Sequence, residues 1–266
     1  MLLIGESING TIPEVGAAIL AHDERYLLEL AKVQIDSGAN MLDINAGVAG
    51  GNEEENLSWI VELIQSQYRV PLMLDSDDPA VLKKAFTVLR DPEKAIINSV
   101  NGDEYKLNVI LPLVAENKCS VVALCLNEKG IPHDVPGRIA IGNMIVNKVK
   151  EYEIPVEKIY LDPLVFSMST AYTAAMTTIN TLLKIKETFS GIKTVCGLSN
   201  VSHGLPVRKL INRTFLIMNL VCGMDAFIVD VRDRELMASA IAGKALVGQD
   251  ERCKEYITAF RKGKLK

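Results

Sequence analysis

What most restricts the fold of this chain is a unit that recurs along it: a short apolar run that stops at polar or small residues, followed by a longer amphipathic segment. The runs are Leu2-Leu3-Ile4, Met41-Leu42-Asp43-Ile44-Asn45, Pro71-Leu72-Met73-Leu74-Asp75, Ala95-Ile96-Ile97-Asn98, Val121 to Asn127, Ile159-Tyr160-Leu161-Asp162, Lys193 to Ser202, and Ala226-Phe227-Ile228-Val229-Asp230. They are short for helices and nearly continuous in hydrophobicity, so they read as strands buried on both faces of a parallel sheet. The amphipathic segments between them are then the helices that cover it.

Those segments carry apolar residues at helical spacing. Leu28, Ala31 and Ile35 share one face ahead of a stop at Gly38, and Leu57, Ile60, Val61 and Ile64 repeat the pattern. Asp78-Pro79 supplies a cap and a first-turn proline for a helix burying Leu82, Ala85, Phe86 and Leu89. Leu107, Ile110, Leu111 and Val114 form the next, where Pro112 predicts a kink or a late start. Ile141, Met144 and Ile145 mark another; further helices are expected over about 172–188, about 206–221 and from Asp233, with a last one near the C-terminus. Eight such units in 266 residues match a TIM (β/α)8 barrel, taken as one domain over residues 1–266 because no composition break marks a linker. A doubly wound open sheet fits less well, since no G-x-G-x-x-G or phosphate loop follows the first strand.

Composition removes several classes of partner. The net charge of -4 and the lack of a clustered basic surface exclude nucleic acid as the main partner. The basic tail, Arg261 to Lys266, reads as a solvated end. No stretch approaches the ~20 apolar residues of a membrane helix, and the start has no basic leader. The five cysteines are odd in number and show no metal or redox spacing, which suits free thiols in the cytoplasm.

In a barrel the C-terminal ends of the strands converge on one mouth. This chain sends there Glu6, Asn9, Asp43, Asn45, Asp75, Asn98, Asn127, Asp162, Ser199, Asn200 and Asp230, a ring of acids and amides with no lysine or histidine among the terminating residues. That disfavours a Schiff base, and the dispersed His22, His133 and His203 follow no ligand spacing, which disfavours a metal site. Acids and amides suit a flat, nitrogen-rich heterocycle: a carboxylate accepts two N–H donors from an amidine-like edge, and an asparagine offers a donor and an acceptor. Each position also has a plainer reading. Asp43 and Asp230 fit helix N-caps best, whereas Asp78 competes for that role after Asp75 and Pro163 interrupts the chain after Asp162. Asn98 fits a turn, Gly197 close backbone packing and Cys196 the core.

Gly5-Glu6 with Asn9, Leu42-Asp43-Ile44-Asn45, Leu74-Asp75-Ser76, Ile97-Asn98-Ser99, Leu161-Asp162-Pro163, Gly197-Leu198-Ser199-Asn200-Val201-Ser202, Asn212-Arg213 and Gly223-Met224-Asp225 resemble, in order and over nearly the whole chain, the pterin-binding methyltransferases. The branch they most resemble is the stand-alone methyltetrahydrofolate:corrinoid protein methyltransferases of anaerobic one-carbon metabolism. The resemblance implies that Asp75, Asn98 and Asp162 hold the pterin edge, and that Gly197, Ser199 and Asn200 line its reactive side. It implies that Arg208 meets the p-aminobenzoate-glutamate portion, with Glu6, His203 and Ile228 completing the contacts. Ser7 stands where relatives often carry a basic or longer polar residue, and His203 where they carry Gln. The implied reaction moves a methyl group between N5 of (methyl)tetrahydrofolate and the cobalt of a corrinoid, with Asn200 as the catalytic residue that polarises N5. No Asp stands two residues before any histidine, so the D-x-H-x-x-G corrinoid motif is lacking and the corrinoid is expected on a partner protein. Ala46 to Asn52 and Glu128 to Gly137 are candidate mobile docking loops, and relatives imply a homodimer. Three alternatives stay open: a dihydropteroate synthase handling pyrophosphate, a folate carrier without catalysis, and an unrelated barrel lyase.

Overall fold

A computed structural model describes residues 1–265. Eight strands close into a barrel in sequence order, every neighbouring pair parallel. The elements run β1 (Leu2–Asn9), α1 (Pro13–Leu20), α2 (Glu24–Ser37), β2 (Met41–Asn45), α3 (Glu53–Gln67), β3 (Leu72–Asp75), α4 (Pro79–Phe86), β4 (Ile96–Val100), α5 (Glu104–Asn117) and β5 (Ser120–Leu124). They continue through α6 (Val135–Glu151), β6 (Ile159–Asp162), α7 (Ala174–Thr188), β7 (Lys193–Gly197), α8 (Arg208–Val221), β8 (Ala226–Val229), α9 (Arg234–Leu246) and α10 (Lys254–Arg261). No helix among the described residues is long and apolar enough to cross a membrane.

The core is concentric. Ile4, Met41, Met73, Ile96, Val122, Tyr160, Val195 and Ala226, one side chain from each strand, fill the barrel axis as a plug. Alternate strand residues point outward into the shell beneath the helices, which explains the unbroken apolar runs: both faces are dry. Burial of each such side chain stabilises the fold by roughly 1.5–3 kcal/mol.

Helix starts are set by residues in the loops rather than at the strand ends. Asp23, Asn52, Asp78, Asp103, Asp134 and Asp233 each accept a backbone N–H in the first turn of α2, α3, α4, α5, α6 and α9. The cap reading of Asp43 and Asp230 is therefore corrected, because Asn52 and Asp233 hold those positions.

Other expectations shift for physical reasons. α1 was not foreseen; Pro13 starts it without a capping side chain, so it carries no polar signature. The buried face of α2 is Leu27, Leu30, Ala31 and Gln34, a rotation away from Leu28 and Ile35. Gln34 is fully buried and its Oε1 accepts the Ser7 N–H at 2.9 Å. A Cβ on Gly5 would lie 2.5 Å from that oxygen, so the strand needs a glycine there. Pro112 does not delay α5, which runs through it; the ring sits on the solvent side, where water can satisfy the carbonyl it orphans. Met144 is exposed on α6 although Ile141 and Ile145 are buried, and α4 stops at Phe86, short of Leu89.

Candidate active site

Because side chains alternate along a strand, the residue two beyond each plug residue returns to the barrel interior, one layer nearer the mouth. That layer reads Glu6, Asp43, Asp75, Asn98, Leu124, Asp162, Gly197 and Ile228 around the eight strands. Five polar groups thus face one another above an apolar floor, with Leu124 and Ile228 as apolar wall and Gly197 leaving a gap beside Ile228, its register partner.

Asp43 is 5% exposed, and its Oδ1 has no hydrogen-bond partner. Burial, then the charges of Asp75 and Glu6, push its carboxyl up. Asp75 is pushed up too, chiefly by burial, while a 3.0 Å bond from the Asn45 amide opposes this. The Asn45 oxygen accepts the Gly47 N–H at 3.0 Å, which turns its nitrogen toward Asp75. Asp162 accepts the Leu164 N–H at 2.7 Å, and burial carries it to about 7 against that bond and the nearby Arg138. Glu6 also rises to about 7, through burial and the charge of Asp230, while Ser199, Arg208 and Arg232 pull the other way. Near neutral pH the mouth therefore retains protons: some carboxyls can donate a hydrogen bond while others accept.

After β7 the chain makes a 3-10 turn over Leu198–Ser202. A Cβ on Gly197 would come within 3.1 Å of Asn200 Nδ2, so the missing side chain is the space the amide occupies. Asn200 is exposed on this turn, and the Ser199 hydroxyl donates to Glu6 at 3.3 Å. Arg208, at the start of α8, donates to the Ser199 carbonyl at 2.9 Å and the Ser202 hydroxyl at 3.1 Å. The turn is also tied to the β6–α7 loop: Met168 donates to the Val201 carbonyl at 3.0 Å, and Ser167 to the His203 carbonyl at 2.5 Å.

Glu6, Asp75, Asn98, Asp162, Gly197 and Ile228 thus share one layer, and Ser199 and Asn200 stand above it on the turn. Arg208 and His203 lie on the exposed rim. Arg208 spends its polar atoms on the turn, and Asp230 is held by both arms of Arg232 at 2.8 and 3.1 Å. Ser7, which stands where relatives often carry a basic or longer polar residue, is buried on the outer side of β1 against α2, away from the rim. Asp43, Asn45 and Leu124 belong to the site but were not among the candidate contacts; counting two residues on from each plug side chain would have found Asp43 and Leu124.

A family model described as pterin binding enzyme matches residues 11–230. The chain is 36% identical to a methylcorrinoid:tetrahydrofolate methyltransferase of Eubacterium limosum, over 100% of this chain and 98% of that protein. It is 29% identical to a methionine synthase of Mycobacterium leprae over 86% of this chain but only 20% of that larger protein. Among solved structures it is similar to the dihydropteroate synthases of Yersinia pestis (TM-score 0.68, 15% identity, 94% of this chain and 93% of that one) and Vibrio fischeri ES114 (0.68, 18%, 93% and 93%). At those identities the solved structures speak for the fold alone. With the family model matched over most of its length and a relative aligned end to end, this chain belongs to the pterin binding enzymes.

Proposed function

We propose that this protein transfers a methyl group between N5 of (methyl)tetrahydrofolate and the cobalt of a corrinoid carried by a partner protein, working as a single domain over residues 1–266. The observation that carries the pterin half is the inward layer of Glu6, Asp43, Asp75, Asn98 and Asp162, with the buried Asp43 Oδ1 left without a partner. A pterin edge alternates N–H donors with ring-nitrogen and carbonyl acceptors, and a layer mixing neutral carboxyls, ionised carboxyls and an amide matches both kinds. The end-to-end likeness to a methylcorrinoid:tetrahydrofolate methyltransferase supports the corrinoid half.

The chemistry asks little of the protein beyond position and a proton. A tertiary amine leaves poorly unless N5 is protonated or strongly hydrogen-bonded; the electron pair of the N–C bond stays on N5 as the methyl group moves to the cobalt. Asn200 holds that proton from the turn above the layer, since its amide offers a donor or an acceptor as the proton state requires. Glu6, at about 7 and bonded to the neighbouring Ser199, supplies and recovers the proton. Asp75, Asn98 and Asp162 orient the ring, and proximity provides much of the rate. Arg208 keeps the turn in place and, with His203, offers the rim to the folate tail.

The protein works in the cytoplasm, a reading supported by the five free cysteines, three of them buried. It pairs as a homodimer through Met176 and Leu183 of α7 and Leu210, Met218 and Val221 of α8, large apolar side chains left exposed on neighbouring helices. The decisive experiment mixes the protein with methyltetrahydrofolate and free cob(I)alamin and follows the corrinoid spectrum. Methylcobalamin formation is expected; its absence, with tetrahydrofolate and methylcobalamin also inert, would overturn the assignment. Folate binding without turnover would leave a carrier, and condensation of p-aminobenzoate with a pterin pyrophosphate would leave a dihydropteroate synthase.

A further inference from the structure

Arg138 is the one buried basic side chain among the described residues, at 1% exposure. Its Nε donates to the Pro132 carbonyl at 3.0 Å, and its Nη1 to the carbonyls of Pro163 at 2.6 Å and Leu164 at 2.9 Å. It makes no ion pair among the described residues, and the Phe166 ring lies 5.4 Å from its guanidinium carbon. A buried guanidinium with only carbonyl partners is costly unless it does something for its surroundings.

What it grips is the turn that follows the Asp162 strand end. Leu164 sits at φ +66, a conformation that a branched side chain adopts only when its surroundings impose it. Its carbonyl is held from two sides, by Arg138 and by the buried Thr178 hydroxyl of α7 at 2.9 Å. In that conformation the Leu164 N–H points back to Asp162 Oδ1 at 2.7 Å.

We propose that Arg138 is a positioning residue for Asp162: by clamping the Pro163-Leu164 turn it fixes the N–H that occupies one carboxylate oxygen, so that the other is presented to the ligand. The proposal rests on the reading of the mouth as a pterin site. Arg138 also acts on the ionisation of Asp162. The other titratable groups facing Asp162 are Cys125, just past β5, and Cys196 of β7, thiols kept neutral by burial, so among the described residues Arg138 is the only cation acting on this carboxylate. Removing it leaves Asp162 protonated to higher pH and its turn free to relax.

The test compares wild type with Arg138→Met, Arg138→Lys and Thr178→Val. The readouts are thermal unfolding, tetrahydrofolate affinity against pH, and the titration of Asp162 by carboxyl 13C NMR in the free protein. Arg138→Met is expected to weaken folate binding roughly tenfold to a hundredfold and to move the Asp162 midpoint upward. Arg138→Lys should restore the midpoint but not the full affinity, because an ammonium cannot reproduce the fork. Thr178→Val should weaken binding and move the midpoint upward by less than Arg138→Met does, because the Arg138 charge stays in place while the Leu164 N–H loosens, and it decides the matter if Arg138→Met fails to fold. Folded variants with wild-type affinity and an unmoved Asp162 midpoint would overturn the role of Arg138 while leaving the pterin reading intact. A wild-type protein that binds no folate would overturn both.

Discussion

Asp43 combines near-complete burial, a carboxyl pushed up by its surroundings and an oxygen with no partner. A group that binds its proton more tightly in the folded than in the unfolded chain contributes stability below its ordinary range, near 4, and loses it as pH rises through the raised value. The Asp43→Asn variant is therefore expected to be more stable than wild type at pH 7, by about 1–3 kcal/mol, with the gap narrowing toward pH 5 in urea titrations. A less stable variant at pH 7 would show that the carboxylate is satisfied where the structure leaves it orphaned. Glu6, at about 7, gives a kinetic counterpart: transfer from methyltetrahydrofolate should fall as pH rises through that value, and Glu6→Gln should flatten the profile. Asn200→Ala should lower turnover by roughly ten- to a thousandfold while folate affinity stays close to wild type; equal losses in binding and turnover would contradict a role at N5. The ring of acids and amides was legible at this scale because strand ends are legible. Asp43 belonged to that ring, but its place in the inward layer was not legible, since an acid ending a strand reads equally as a cap until the parity of the plug is known.

At the scale of elements, two glycines separate packing from function. A methyl group on Gly5 would strike Gln34 Oε1, which also holds the Ser7 N–H, so Gly5→Ala should loosen β1 from α2 and destabilise the fold by about 1–3 kcal/mol. Gly197→Ala instead presses on the Asn200 amide from 3.1 Å. It should reduce kcat severalfold or more with little change in thermal stability, and a stability loss matching that of Gly5→Ala would refute the distinction. The helices with Asx caps and dense apolar spacing were readable from the chain. α1 was not, because a proline start leaves no polar mark, and the continuity of α5 through Pro112 depended on which side faced water.

For the whole molecule, closure follows from arithmetic that the sequence exposes: eight buried strands, each followed by a covering helix, leave no edge when joined in order. What one chain cannot reveal is which outer face meets another copy, since an exposed apolar residue is ordinary by itself. The joint exposure of α7 and α8 leads to the expectation that sedimentation reports a dimer, and that Leu183→Glu combined with Val221→Glu yields a folded monomer. A wild-type monomer at micromolar concentration would remove that interface. The loop-borne caps have a consequence for descent as well as for stability. Because Asn52, Asp78 and Asp233 begin helices from outside the barrel ends, the neighbouring strand ends are excused from starting them, and a lineage can rewrite the lining of the mouth without first re-solving how the helices start.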